Sequence, residues 1–198
     1  LSYWSDRGAD PVTKVLPSAG TVTALRVHDN GKLVAVGQAD GWVSVWDHEL
    51  RGQTWKRKFG ADAVTGLALG KGFVALAQDN KVEFVNTTTG KSFKSFTTVE
   101  PVRGMFFAPR LDDVLFAFGS NHFMMFDTKK REALDDMSMG GHVVRAGIDE
   151  DAEGSGPQLW VEFDQGQWFV RRTYRVTRPS REGPVQLSLM DTRWQARP

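Results

Sequence analysis

Four histidines, at positions 28, 48, 122 and 142, are the first side chains to weigh for chemistry, because imidazole serves as general base, proton shuttle and metal ligand. No two of them stand at H-x-x-x-H spacing, and there is no cysteine to complete a mixed Cys/His site. They read as turn and loop residues. Carboxylates cluster at Asp112-Asp113, Asp135-Asp136 and Asp149-Glu150-Asp151. General acid/base work needs two carboxyls converging on a cleft in different environments. These clusters fall in segments that read as loops, so they are expected to be solvated. No G-x-S-x-G elbow and no phosphate-binding loop is present, and Gly70-Lys71-Gly72 reads as a hairpin turn. The expectation is a chain without catalytic, metal or cofactor residues, and without a small-molecule substrate.

The one strongly biased segment is basic. Phe169–Arg181 reads F-V-R-R-T-Y-R-V-T-R-P-S-R. Residues 165–198 hold seven arginines, no lysine and two acids, whereas the whole chain of 198 residues has a net charge of only +1. Arg171, Arg172, Tyr174, Arg175, Arg178 and Arg181 are therefore the candidates for a nucleic-acid or acidic-protein contact. Arginine binds phosphate and carboxylate bidentately, and it stacks on bases. As a whole the composition does not describe a polyanion binder. Without cysteine the chain has no disulfide framework, which suits a reducing compartment. No apolar run approaches the ~18 residues of a membrane span, so no membrane insertion is expected. No signal-peptide pattern opens the chain. It begins with Leu rather than Met, so the sequence is expected to be a processed or excised piece of something longer.

The elements that would position these residues announce themselves by recurrence. Val22, Val64, Val102 and Val143 each open an apolar, alternating run, at intervals of 42, 38 and 41 residues. Polar turns recur in phase at Asp40-Gly41, Asp79-Asn80, Asn121 and Asp164-Gln165-Gly166. So do strand ends, in VSVWD (43–47), VEFVN (82–86) and FMMFD (123–127). A repeat of about forty residues made of four short strands is the signature of a β-propeller blade. The predicted strands are Val22–Val27, Leu33–Gly37, Trp42–Trp46 and Thr54–Phe59, then Val64–Leu69, Phe73–Ala77, Val82–Val85 and Lys91–Phe96. A third set is Val102–Phe107, Val114–Gly119, His122–Phe126 and Glu132–Leu134. A fourth is Val143–Ile148, Gln158–Phe163, Trp168–Tyr174 and Arg175–Thr177. Asp149–Pro157 reads as a long acidic loop.

The pattern runs off both ends. Tyr3–Asp6 and Val12–Leu16 read as the last strands of a preceding blade, and Val185–Asp191 as the first strand of a following one. The predicted units are 1–16 (end of a blade), 17–60, 61–98, 99–138, 139–181 (a degenerate blade) and 182–198 (the start of a further blade or a tail). The fold class is all-β, as part of a propeller of about seven blades.

VTALRVHDNGKLVAVGQADGWVSVWD (22–47) resembles a WD40 repeat, with Val85-Asn86 and Phe126-Asp127 as weaker echoes of the terminal Trp-Asp. The resemblance implies repeat positions at Asp40, Trp46, Asp47, Asp79, Asn121, Asp127 and Asp164. It also implies a buried network of His, Ser or Thr, Asp and Trp, of which Asp40 and Trp46 could carry two roles. The Gly-His pair that would complete it is absent before Val22, Val64 and Val102. Some members use Trp-Asp-x-Arg to join cullin ubiquitin ligases; Trp46-Asp47-His48-Glu49 lacks that Arg. Two functions follow as expectations. One is a non-catalytic scaffold of protein–protein interactions in a larger assembly, with rim candidates Gln38, Asp62, Gln78, Glu100 and Ser120. The other is an RNA-associated subunit of a ribonucleoprotein, in ribosome assembly or RNA processing, using the arginine stripe. Either implies a eukaryotic intracellular protein, cytoplasmic or nuclear.

Overall fold

Alternating apolar residues between Gly- and Asp-containing turns fold here into consecutive antiparallel hairpins. The structure is a computed structural model and describes residues 2–3, 12–13, 20–28, 31–47, 49–108, 111–130, 132–150, 156–178 and 183–196. Trp4–Asp6, Leu16, Asp29-Asn30, His48, Asp151 and Arg181 lie outside the described residues. Strands β1 (Ser2–Tyr3) and β2 (Val12–Thr13) pair as a two-stranded ribbon. The first full sheet is β3 (Val22–Val27), β4 (Leu33–Gln38), β5 (Trp42–Asp47) and β6 (Gln53–Lys58). The second is β7 (Val64–Gly70), β8 (Phe73–Gln78), β9 (Lys81–Asn86) and β10 (Ser92–Thr97). The third is β11 (Gly104–Ala108), β12 (Leu111–Phe118), β13 (His122–Asp127) and β14 (Glu132–Ser138). The fourth is β15 (His142–Glu150), β16 (Pro157–Gln165), β17 (Trp168–Thr177) and β18 (Gln186–Ala196). Each of these four full sheets is a meander of four strands in chain order, which is the blade architecture.

The chain divides into two compact units, Leu1–Gly104 and Met105–Pro198. In the first, Ala35, Val43 and Val45 of one sheet pack against Val64, Leu67, Leu69, Val74, Leu76 and Val85 of the next. Val34, Val36, Trp46 and Leu50 form a second cluster. Strand β4 is thus buried on both faces, as its unbroken apolar run requires. In the second unit, Val114, Phe116, Phe123, Met125 and Met139 pack against Val143, Leu159, Val161, Phe163, Val170 and Tyr174.

One set of main-chain bonds repeats with the sequence. The amides of Phe59, Thr98 and Met139, each at the end of an outer strand, donate to the carbonyls of Gly41, Asn80 and Asn121 in the turn before the third strand, at 3.0, 2.7 and 2.8 Å. The amides of Val102 and Val143 donate to the carbonyls of Asp79 and Ser120, at 2.8 and 2.6 Å, and fix where the next sheet begins. In the first three sheets the terminal Asp or Asn of the third strand caps the turn that follows. Asp47 accepts from the amides of Arg51 and Gly52, Asn86 from those of Thr88 and Thr89, and Asp127 from those of Lys129 and Lys130. A carboxylate and a carboxamide oxygen do this equally well, so Asn86 can stand where its counterparts have Asp.

Several expectations are corrected. Trp168–Tyr174 and Arg175–Thr177 are one continuous strand, β17. Residues 186–196 do not open a further blade: they pair with β17 as the outer strand of the fourth sheet, with Val170 opposite Trp194 and Arg171 opposite Arg193. The physical reason is strand length. The strands of this sheet run 9 to 11 residues where those of the first run 6, so the sheet overruns the forty-residue interval. Asp149 lies in β15 and Asp135-Asp136 in β14 rather than in loops. Asp113 lies in β12 and is buried.

Candidate protein-interaction site

Strand alternation decides what the arginine-rich segment can present. Successive side chains of β17 point to opposite faces of the sheet. Arg172, Tyr174 and Val176 share the face that carries Val170. Tyr174 and Val176 belong to the core, and the Arg172 guanidinium lies 5.0 Å over the Phe163 ring. Arg178, just beyond the strand, is also turned inward. Its Nη1 is 2.6 Å from Asp113 Oδ2, the two side chains being 12% and 8% exposed, and Lys129 Nζ reaches the same oxygen at 2.9 Å. Burial acts to raise the pKa of Asp113, but hydrogen bonds from Arg178 and Lys129 outweigh it and hold the carboxyl below its ordinary value. The stripe expected at an outer edge is therefore dispersed. β17 lies between β16 and β18, and of its arginines Arg171 and Arg175 point to the open face.

On that face the register assembles a row that the linear sequence hides. Arg145 on β15 stands opposite Glu162 on β16, which stands opposite Arg171 on β17, which stands opposite Arg193 on β18. Glu162 accepts a hydrogen bond from Arg145 Nε and lies 3.5 Å from Arg171 Nη1. That carboxylate raises the pKa of Arg145 further, by hydrogen bond and then by charge. Arg171 also approaches Asp149, at 3.8 Å. In the next row Trp160 lies beneath both guanidiniums, 4.6 Å from Arg171 and 5.8 Å from Arg145. Its register partner is Gly147, and any side chain there would overlap the indole. Val144, Phe169, Val170 and Gln195 complete a groove of about 620 Å³ around Arg145, Glu162, Arg171 and Arg193. Val144 and Phe169 are exposed. The sequence does not single out Arg145, Glu162 and Arg193 as site residues. They sit on different strands, and only the pairing register unites them.

Two of the rim candidates, Gln38 and Gln78, have side chains engaged by the fold. Gln38 is 1% exposed, and its Nε2 donates to the Gly20 carbonyl at 2.8 Å; it is a brace, not a contact surface. Gln78 repeats that bond one sheet later, donating to the Asp62 carbonyl at 2.7 Å. The Glu100 carbonyl accepts from Thr98 Oγ1 and the Ser120 carbonyl from the Val143 amide. The Asp62 side chain is exposed. Asp79 adopts a positive φ of 50° in its turn. Of the network that the resemblance implies, Trp46 Nε1 donates to Ser44 Oγ at 2.9 Å. Asp40 Oδ1 is buried without a hydrogen-bond partner among the described residues. Asp164 stands opposite His142 across β15 and β16. Among the described residues no group of His, Asp and Glu could hold a metal ion, and no helix is long and apolar enough to cross a membrane.

Four-stranded meanders with a repeated turn-to-edge bond define a β-propeller of WD40-like blades. Solved structures agree on that fold. The chain is similar to the β-propeller domain of Cps50 (Swd1) from Myceliophteria thermophila, at 18% identity and TM-score 0.53, covering 91% of this chain and 74% of that one. It is similar to U3-55K, at 10% identity and TM-score 0.67, covering 87% of this chain and 53% of that one. It is also similar to a chain of Kuenenia stuttgartiensis hydrazine synthase, at 12% identity and TM-score 0.68, covering 98% and 53%. The chain thus spans about half the length of the latter two. No protein-family model and no curated protein matches it.

Proposed function

We propose that this chain is a non-catalytic scaffold that holds other proteins in a larger intracellular assembly, cytoplasmic or nuclear, and that the open face of its fourth sheet is a contact surface. The observation that carries this reading is the Arg145–Glu162–Arg171–Arg193 row over Trp160, flanked by exposed Val144 and Phe169. Arginine and aromatic residues are the types enriched at the centre of protein interfaces, and guanidiniums already stacked and paired lose little freedom on binding. Similarity to solved chains about twice as long supports a ring larger than the four sheets here. The exposed Asp62 side chain belongs to the same proposal as a rim contact.

The test is a pull-down of the native protein, with and without RNase, comparing wild type with R145E/R171E. A partner set that survives RNase and is lost in the variant supports the reading. An unchanged set in the variant removes the face from consideration. Collapse with RNase would make RNA the organising ligand. That outcome is disfavoured here because Arg172 and Arg178 are committed internally.

A further inference from the structure

The outer strands of the four sheets are not alike. β6 has 6 residues and carries Lys56 and Lys58; β10 has 6 and carries Lys94; β14 has 7 and carries Asp135 and Asp136. Short length and charge are the usual guards of a free sheet edge. β18 has 11 residues, a bulge at Met190, one charge of each sign at Asp191 and Arg193 and no lysine, and it exposes Leu189, Met190 and Trp194. Nothing among the described residues pairs with its outer edge.

Its sequence is self-complementary about Thr192. Reading outward, Asp191 and Arg193 flank Thr192, and Met190 and Trp194 flank those. We propose that β18 pairs with β18 of a second copy of this chain, antiparallel and with Thr192 opposite Thr192, joining two four-stranded sheets into one of eight. In that register Asp191 of each copy faces Arg193 of the other, twice. Opposed Thr–Thr and opposite-charge pairs are among the favourable cross-strand combinations. The two-fold axis passes between the threonines, so the interface closes on itself and does not propagate. Asp191 and Arg193 already share a bond of 2.7 Å within one strand, so each carboxylate would lie between two guanidiniums. This pairing uses the edge of the sheet; Arg193 belongs both to it and to the row on the open face, whereas Asp191 does not line that groove.

Sedimentation velocity of the 198-residue chain over roughly 1–100 µM tests it, a range in which micromolar dimers dissociate visibly. Wild type should shift from monomer to dimer. R193D places two acids opposite two acids, and D191R two arginines opposite two arginines. Each should weaken self-association about tenfold or more. An equimolar mixture of the two variants should form a heterodimer, and the charge-swapped D191R/R193D chain should dimerise like wild type. A wild type that stays monomeric overturns the proposal. So do single variants that still dimerise, or a mixture that fails to associate while the charge-swapped chain succeeds.

Discussion

At the scale of single residues, Asp113 shows how an ordinary carboxylate comes to join two sheets. It sits in β12, and its partner Arg178 follows β17, 65 positions later. Removing one member of a buried pair strands the other charge, so Asp113→Asn is expected to cost about 3 kcal/mol in stability, measured by denaturant unfolding. The pH dependence follows from the direction of the shift. The folded-state pKa lies below the unfolded one, so the contribution is present above the unfolded value and is lost as pH falls through the folded value. The stability of wild type should therefore fall below about pH 4 more steeply than that of Asp113→Asn. None of this was legible in advance. Asp112-Asp113 looks like a solvated pair, and Arg178 is one of five similar arginines. Charge and spacing set all five arginines in one stripe; strand alternation leaves Arg171 and Arg175 on the open face, and it took the register to supply the neighbours of Arg171. A second residue carries a sharper outcome: Gly147→Val should expel the Trp160 indole from beneath Arg145 and Arg171. Trp fluorescence should redshift as the ring enters water, with little change in sheet content by circular dichroism.

At the scale of elements, the sequence is a good guide where strands keep the common length. Val22–Val27 is β3 residue for residue, and the other strands of the first two sheets agree to within about two residues at either end. The reason is that each alternating or continuous apolar run is closed by a turn whose chemistry is explicit, such as Asp40-Gly41 with Gly41 at φ 81°. Interval counting fails in the fourth sheet. Val185 falls 42 positions after Val143 and so mimics the start of a repeat, yet the longer strands before it leave β18 to close the same sheet. Truncation after residue 184 separates the two readings. If 186–196 began a separate blade, its loss would leave the second unit standing. Because it covers β17, the truncated chain is expected to lose cooperative unfolding of Met105–Pro198, seen as loss of slow amide exchange at Val170 and Tyr174.

At the scale of the molecule, two units with separate cores imply separate melting. Repeat architectures lose all-or-none behaviour when neighbouring repeats differ in stability. Calorimetry is expected to resolve two transitions, and Asp113→Asn should move only the one that belongs to Met105–Pro198. A single transition shifted as a whole would show instead that the units unfold as one.

The bonds from Phe59, Thr98 and Met139 to Gly41, Asn80 and Asn121 are made by main-chain atoms alone. Every residue except proline brings the same amide, so these clasps survive almost any substitution at the positions that form them. What they do not survive is a change in the number of residues between them: each joins positions 18 apart. Such a chain can lose its lettering while keeping its metre. Likeness of fold at 10 to 18% identity is then recorded in the spacing of its turns, and a single-residue insertion between clasp partners would do more harm than many replacements.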